Sequence, residues 1–215
     1  YMLGRKARLV AREAHRKRGR LLDIGTGTGY FADTMARRGW KVEAVEKSPQ
    51  ARAFAKEHFD LDVKPESALK EFAPGSFDVI TLWHVMEHLE HLNETWEMLR
   101  ELLTEKGMLI VAVPNCSSYD AGRYGEYWAA YDVPRHLWHF TPVTIQQLAS
   151  RHGFIMAARH PMPFDAFYVS MLSEKHRGSS CSFLKGMYAG TLAWFSTLGR
   201  KERSSSMIYV FRKKR

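Results

Sequence analysis

Arg20-Leu21-Leu22-Asp23-Ile24-Gly25-Thr26-Gly27-Thr28-Gly29 is the stretch on which the fold of this chain turns. An apolar run of strand length stops at a turn with glycine at every second position, and Tyr30 to Arg38 follows as a helical stretch. Glycine tolerates backbone angles closed to other residues and, lacking Cβ, lets a ligand lie against the main chain. The helix behind it presents unpaired N–H groups to an anion or to polar ligand atoms. Lys41 to Val45 then alternates as a second strand and ends at Glu46, a carboxylate placed to accept hydrogen bonds from two ribose hydroxyls. Strand, glycine turn, helix, strand and acid together predict a ligand with a nucleoside half, held at the carboxyl ends of the first two strands.

Outward from this unit the pattern continues. Pro49 to His58 reads as a helix and Leu61 to Val63 as a brief third strand. Phe77 to Leu82 is rich in β-branched and aromatic residues and should be a central strand. Asn93 is placed to cap a helix whose buried stripe is Trp96, Leu99, Leu102 and Leu103, with Gly107 closing it before a strand from Met108 to Val113. Thr141-Pro142 pairs an N-cap with proline at the first helical position and opens a helix to Gly153, followed by a strand over 154–160. Strands alternating with helices predict a doubly wound, Rossmann-like α/β fold with a mostly parallel sheet. One domain of 215 residues is expected: a leading helix over 1–19, a cofactor-binding core over 20–160, a helical cap insertion over 161–204, and a C-terminal antiparallel strand with a basic tail over 205–215. Within the insertion, Phe164, Phe167, Tyr168, Met171 and Leu172 make one amphipathic helix. Leu184, Met187, Tyr188, Thr191, Leu192, Phe195 and Leu198 make a second.

Composition narrows the class. Hydrophobic residues at 45% and charged residues at 26% are those of a folded, water-soluble domain. Two cysteines, Cys116 and Cys181, are too few for a disulfide framework or a cysteine zinc cage, so a cytoplasmic setting is expected. Nothing reaches the ~18 apolar residues of a membrane span, and Tyr1 is not followed by a basic start with an apolar run, so no signal peptide is expected. The net charge of +9 is concentrated towards both ends, which offers peripheral contact with an anionic membrane or nucleic acid.

A glycine turn also serves nicotinamide dinucleotides, whose fingerprint would require a third glycine where Tyr30 stands. The surroundings decide. Leu22-Asp23-Ile24-Gly25-Thr26-Gly27-Thr28-Gly29 resembles the first motif of class I methyltransferases that use S-adenosylmethionine (SAM). Pro74 to Ile80 with Trp83-His84-Val85-Met86-Glu87-His88-Leu89 resembles their segment around the fourth strand, and 103–113 resembles the helix and fifth strand beyond it. The resemblance covers about residues 20–160 and is strongest to the bacterial type related to ubiquinone-pathway methyltransferases. It implies SAM as cofactor, with S-adenosylhomocysteine as product, and a cofactor-binding set of Asp23, Gly25, Thr26, Gly27, Gly29, Phe31, Glu46, Lys47, Ser67, Leu82, Trp83 and His84. The stretch from Lys64 to Leu69 departs from the family's pattern after the third strand, which leaves the register of the adenine pocket open between Glu66 and Ser67.

Methyl transfer from a sulfonium is an in-line displacement, and the protein mainly aligns the reacting atoms. A base is needed only where the acceptor is protonated, and for a hydroxyl at neutral pH histidine is the natural candidate. His84, at the strand end, and His136 are the catalytic candidates. Tyr131, Arg135, His136 and His139, in a loop dense in aromatic and cationic groups, are the acceptor-binding candidates. His84-Val85-Met86-Glu87-His88 formally matches a zinc-peptidase pattern but follows a strand of the nucleotide-binding sheet. No metal site is assigned, and Glu87 with His88 stays a secondary candidate for a divalent ion. The expected acceptor is a small or lipid-linked molecule, methylated at oxygen, and the expected state is monomer or homodimer. A nucleic-acid methyltransferase is disfavoured because Leu82-Trp83-His84-Val85 replaces the Asn/Asp-Pro-Pro-aromatic motif of base-amine enzymes. A SAM-binding module without turnover is the remaining alternative, and in it replacing His136 would change nothing.

Overall fold

The computed structural model describes residues 2–214; Tyr1 and Arg215, the outermost residues of the expected leading helix and basic tail, lie outside the described residues. The chain folds in the order α1 (Met2–Glu13), β1 (Arg20–Ile24), α2 (Tyr30–Ala36), β2 (Lys41–Val45), α3 (Pro49–Phe59), β3 (Phe77–Trp83), α4 (Leu92–Leu102) and β4 (Leu103–Pro114). Then come α5 (Tyr119–Tyr124), α6 (Pro142–Arg151), β5 (Phe154–Met162), α7 (Asp165–His176), α8 (Ser182–Gly199) and β6 (Ser206–Lys213). The six strands form one sheet in the order β2-β1-β3-β4-β6-β5. β1 pairs in parallel with β2 and β3, and β3 in parallel with β4, while β6 runs antiparallel between β4 and β5. This is the expected mostly parallel sheet with an antiparallel C-terminal strand.

Alternation along the strands builds two layers of core. Leu22, Ile80, Leu109 and Val111 face α4 and α6, where Trp96, Leu99, Leu102 and Ile145 are buried with them. Leu21, Val79 and Ile110 face the other way, onto Ala7 and Val10 of α1 and Phe31 and Met35 of α2. Strand order reverses between β1 and β3, so the ends of these two strands splay their following loops apart and leave a crevice there.

Four local expectations need correction. The leading helix stops at Glu13, because the chain turns back at His15 with a φ of 50°. Leu61 to Val63 forms no strand: a single bridge joins Val45 to Lys64, since two residues with inward-facing groups are too few for a ladder. The helix after β3 begins at Leu92 with His91 as its cap, and Asn93, inside it, bonds to His152 through Oδ1. Helix α4 ends at Leu102, and Gly107 lies within β4, where a Cβ would stand 2.9 Å from the Thr104 carbonyl oxygen. The Thr141 cap of α6 is present as a reciprocal pair with Thr144. Among the described residues no helix is long and apolar enough to cross a membrane.

Candidate active site

The glycine turn after β1 is built for access rather than for packing alone. Gly25, Gly27 and Gly29 all sit at positive φ, 67°, 59° and 86°, where a side chain is strained. Their surroundings separate their roles. A Cβ on Gly29 would lie 2.9 Å from that of Ala55, so this residue lets α2 approach α3, and it also caps α2. A Cβ on Gly25 would strike Val85 at 2.4 Å, which holds the turn against the loop after β3. Around Gly27 a Cβ would meet nothing within 4 Å, so the space over its backbone is open to a ligand.

Glu46, at the end of β2, is tied back to that turn. Its Oε2 accepts the Gly27 N–H at 2.8 Å and its Oε1 accepts the Ser48 N–H at 2.9 Å, which orients the carboxylate towards a cleft of about 650 Å³. Gly25, Glu46, Lys47, Ser67 and His84 line this cleft, together with Glu66, Leu69, Val85 and His88. Asp23, Thr26, Phe31 and Leu82 form its floor from beneath rather than its wall. Leu82 and Phe31 are buried in the core, and Phe31 packs edge-on against Trp83 at 5.1 Å. Asp23 is 1% exposed and accepts a hydrogen bond from Thr81 through Oδ1, while its Oδ2 and the Thr26 hydroxyl are sealed from water without a partner. Such orphaned polar atoms are costly unless a ligand completes them. Burial pushes the Asp23 carboxyl up to about 6, with the Thr81 bond pulling the other way. These features fit SAM: donors and acceptors for a nucleoside and an amino acid, beside a backbone that admits close approach.

His84 leaves β3 in the left-handed region, with φ 57°. No helix follows; a single tight turn over Met86–His88 does, so His84, His88 and His91 share no helical face. His84 Nδ1 is 3.4 Å from Glu87 and Nε2 is 3.5 Å from Asp165, the first residue of α7. Burial disfavours its charge, but these two carboxylates outweigh burial and hold its pKa at about 9. An imidazolium cannot accept a proton at neutral pH, so in this arrangement His84 is an electrostatic post rather than a base.

The loop of residues 131–139 docks on the turn after β3. Leu137 and Trp138 donate their N–H groups to the Glu87 carbonyl, and the Trp138 indole donates to that of Leu89. His136 Nδ1 lies 2.8 Å from the Ala130 carbonyl and must donate to it, which leaves Nε2 with the lone pair. His88 Nδ1 is likewise 2.9 Å from the Arg135 carbonyl. His136 and His88 meet edge to face at 4.6 Å, and donor atoms of Glu87, His88 and His136 all come within 4.8 Å of one another. Both Glu87 oxygens are buried and accept no hydrogen bond, so this trio is the place where a divalent ion fits. Sequence reading paired Glu87 with His88 and did not see that the loop brings His136 to them. The other loop candidates are held apart from the cleft: His139 Nε2 bonds to the Tyr131 carbonyl and its ring packs on that of Tyr131, while Arg135 is exposed and paired with Asp132 at 2.8 Å.

Two residues at this centre escaped the sequence. Lys6 of α1 places its ammonium 4.3 Å over the Trp83 ring; burial lowers its pKa, while Asp23 and Asp165 act against that. Asp165 arrives from the cap. Neither lies in a motif, and the only trace was a lysine beside the apolar stripe of the leading helix.

With this geometry in view, the comparisons with known proteins point one way. A family model described as a methyltransferase domain matches residues 1–158. The chain belongs to the SAM-dependent methyltransferase family. Among its relatives, the mitochondrial ubiquinone biosynthesis O-methyltransferase of Schizosaccharomyces pombe is 35% identical over 101 residues, 43% of this chain and 37% of that protein. The enzyme of the same name from Cereibacter sphaeroides (strain ATCC 17029) is 30% identical over 158 residues, 68% of this chain and 64% of that one. The chain thus spans less than two thirds of the length of these relatives. Solved structures share the fold: a SAM-dependent methyltransferase from Archaeoglobus fulgidus (TM-score 0.63, 21% identity, 97% of this chain and 92% of that one) and a phosphoethanolamine N-methyltransferase from Haemonchus contortus with S-adenosylhomocysteine (TM-score 0.66, 20% identity, 99% and 53%).

Proposed function

We propose that this chain transfers the methyl group of SAM to a hydroxyl oxygen of a small or lipid-linked acceptor. The observation that carries the reading is the Glu46 carboxylate, fixed by the Gly27 and Ser48 N–H groups at the mouth of the cleft and facing the end of β3. SAM, when bound, supplies an activated methyl on a sulfonium, so the protein's task is alignment and proton removal. Glu46 takes the ribose hydroxyls, the open backbone at Gly27 takes the methionine end, and Glu66 with Ser67 flank the adenine. His136, neutral and with Nε2 free, is the base for the acceptor hydroxyl. Lys6, His84 and Asp165 form a charged frame that positions the acceptor. The names of the relatives favour oxygen as the methylated atom, and the bacterial ones favour a cytoplasmic setting.

Calorimetry with SAM and S-adenosylhomocysteine tests the cofactor half. Glu46→Ala removes two charge-assisted hydrogen bonds and the ribose contact, and affinity should fall on the order of a hundredfold. Methyl transfer to aryl and alkyl alcohols, with and without apolar tails, tests the acceptor half. Tight binding with transfer to amines alone would overturn the oxygen reading, and no binding of either nucleoside would overturn the whole.

A further inference from the structure

The second cap helix is amphipathic in the opposite sense to that expected. α8 closes on α7 with its small residues: a Cβ on Gly186 would stand 2.5 Å from the Met171 Cα, and one on Gly190 2.8 Å from the Phe167 Cα. Ala189 and Ala193 are buried on the same side. At 100° per residue the large apolar side chains then project from the opposite face. Leu184, Met187, Tyr188, Phe195 and Leu198 are all exposed there, Leu184 and Leu198 at 68%. A helix apolar on its outer as well as its inner face has an unfilled contact to make.

The charges around that stripe say with what. From Lys175 to Lys201 the chain carries Lys175, Arg177, Lys185, Arg200 and Lys201 and no aspartate or glutamate. All five are exposed, none forms an ion pair within 4 Å among the described residues, and they lie at both ends of the apolar stripe. A second copy of the chain would bring the same cations against themselves. An anionic surface with an apolar interior satisfies both parts: cations gain at the headgroups, and apolar side chains enter beneath them.

We propose that the outer face of α8 docks on an anionic lipid surface, with the helix lying in the plane of that surface. Because α8 is apolar along one outer stripe and seated on α7 along the other, it lies on a bilayer rather than across it. The inference stands on the outer surface of the cap and is independent of the acceptor, so vesicle binding reads it without any assay of methyl transfer.

The test is co-sedimentation of the purified chain with phosphatidylcholine vesicles that contain or lack phosphatidylglycerol, at low and high salt, alongside the mass in solution by light scattering. The chain should pellet with the anionic vesicles, and high salt should release it. Lys185→Ser should weaken binding about fivefold, and Leu184→Ser/Phe195→Ser should abolish it at an unchanged melting temperature. Lys185→Ser changes one exposed side chain and keeps the test decisive where the double variant fails to fold. Equal binding to neutral vesicles, or no binding to either, would overturn the proposal. So would a dimer in solution that Leu184→Ser/Phe195→Ser dissolves, because a second copy would then own the stripe.

Discussion

The cofactor half and the acceptor half of this site are made in different ways. The first is local: Gly25, Gly27 and Glu46 lie within 22 residues of one another in sequence, on adjacent parallel strands, and two backbone N–H bonds lock the carboxylate. The second is assembled at long range. Lys6 comes from α1, His84 and Glu87 from the end of β3, His136 from a loop about fifty residues on, and Asp165 from the start of the cap. A half built from adjacent strand ends tolerates disturbance elsewhere, whereas a half built from five segments depends on the docking of each. Damage to the cap should therefore cost turnover and spare SAM affinity.

Gly186→Val is the hardest test of that difference. The new side chain must push α8 from the α7 backbone at Met171, at a cost of roughly 1–3 kcal/mol or more. It also moves Asp165 away from His84, and displacements near 1 Å cost about a hundredfold in turnover. Turnover should fall by about that factor while the SAM dissociation constant measured by calorimetry stays within about twofold. Equal losses in both would show that the two halves form one cooperative unit.

The same division governed what could be read in advance. Gly25 to Gly29 and Glu46 were legible because a parallel strand pair places the ends of β1 and β2 together whatever the rest of the chain does. Lys6 and Asp165 were not, because nothing in local spacing says which turn of α1 faces Trp83 or where α7 begins. Periodicity found α8 but misjudged its inner face. The Gly186, Ala189, Gly190 and Ala193 row is short enough for close helix contact, so backbone proximity won over the burial of the larger side chains. The reading of His84, Glu87 and His88 as one helical face failed for a similar reason: the left-handed backbone at His84 ends the strand without starting a helix.

Asp23→Asn probes the cofactor half in the opposite direction. Burial holds this carboxyl at about 6, above its unfolded value near 3.9. The folded state therefore favours the proton: the parent is most stable below about pH 4 with respect to this group, and loses that stability as pH rises through 6. Asparagine carries no charge to desolvate, so the ligand-free variant should be more stable than the parent at pH 7.5, by up to about 3 kcal/mol. SAM affinity should drop about tenfold. Denaturant titrations at pH 4 and 7.5 check it, and an equal stability difference at both pH values would rule out the buried charge as the cause.

Asp165→Asn addresses the link between the halves. His84 has its pKa raised to about 9, so its contribution to stability is present in full below about 6.5 and is lost as pH rises through 9. Removing the Asp165 charge should lower the imidazole midpoint by about one pH unit, the worth of one charge-assisted hydrogen bond. Proton resonances of the ring report it directly. An unmoved midpoint would assign the effect to Glu87 alone and detach the cap from the site.

The smallest expected effect concerns Arg135. The resemblance cast it as an anion contact for the acceptor, but the guanidinium is 76% exposed and spends itself on Asp132 within its own loop. Exposed pairs of this kind contribute about 0–1 kcal/mol. Arg135→Ala should leave the melting temperature and SAM affinity unchanged within error and should alter KM for the acceptor by less than about threefold. His136→Ala, two contacts away through the same loop, should remove most of kcat if its free Nε2 takes the acceptor proton. A large rise in KM for Arg135→Ala with kcat preserved would show that the loop turns towards the acceptor once both ligands are bound, and the acceptor half would then be assembled by binding rather than waiting preformed.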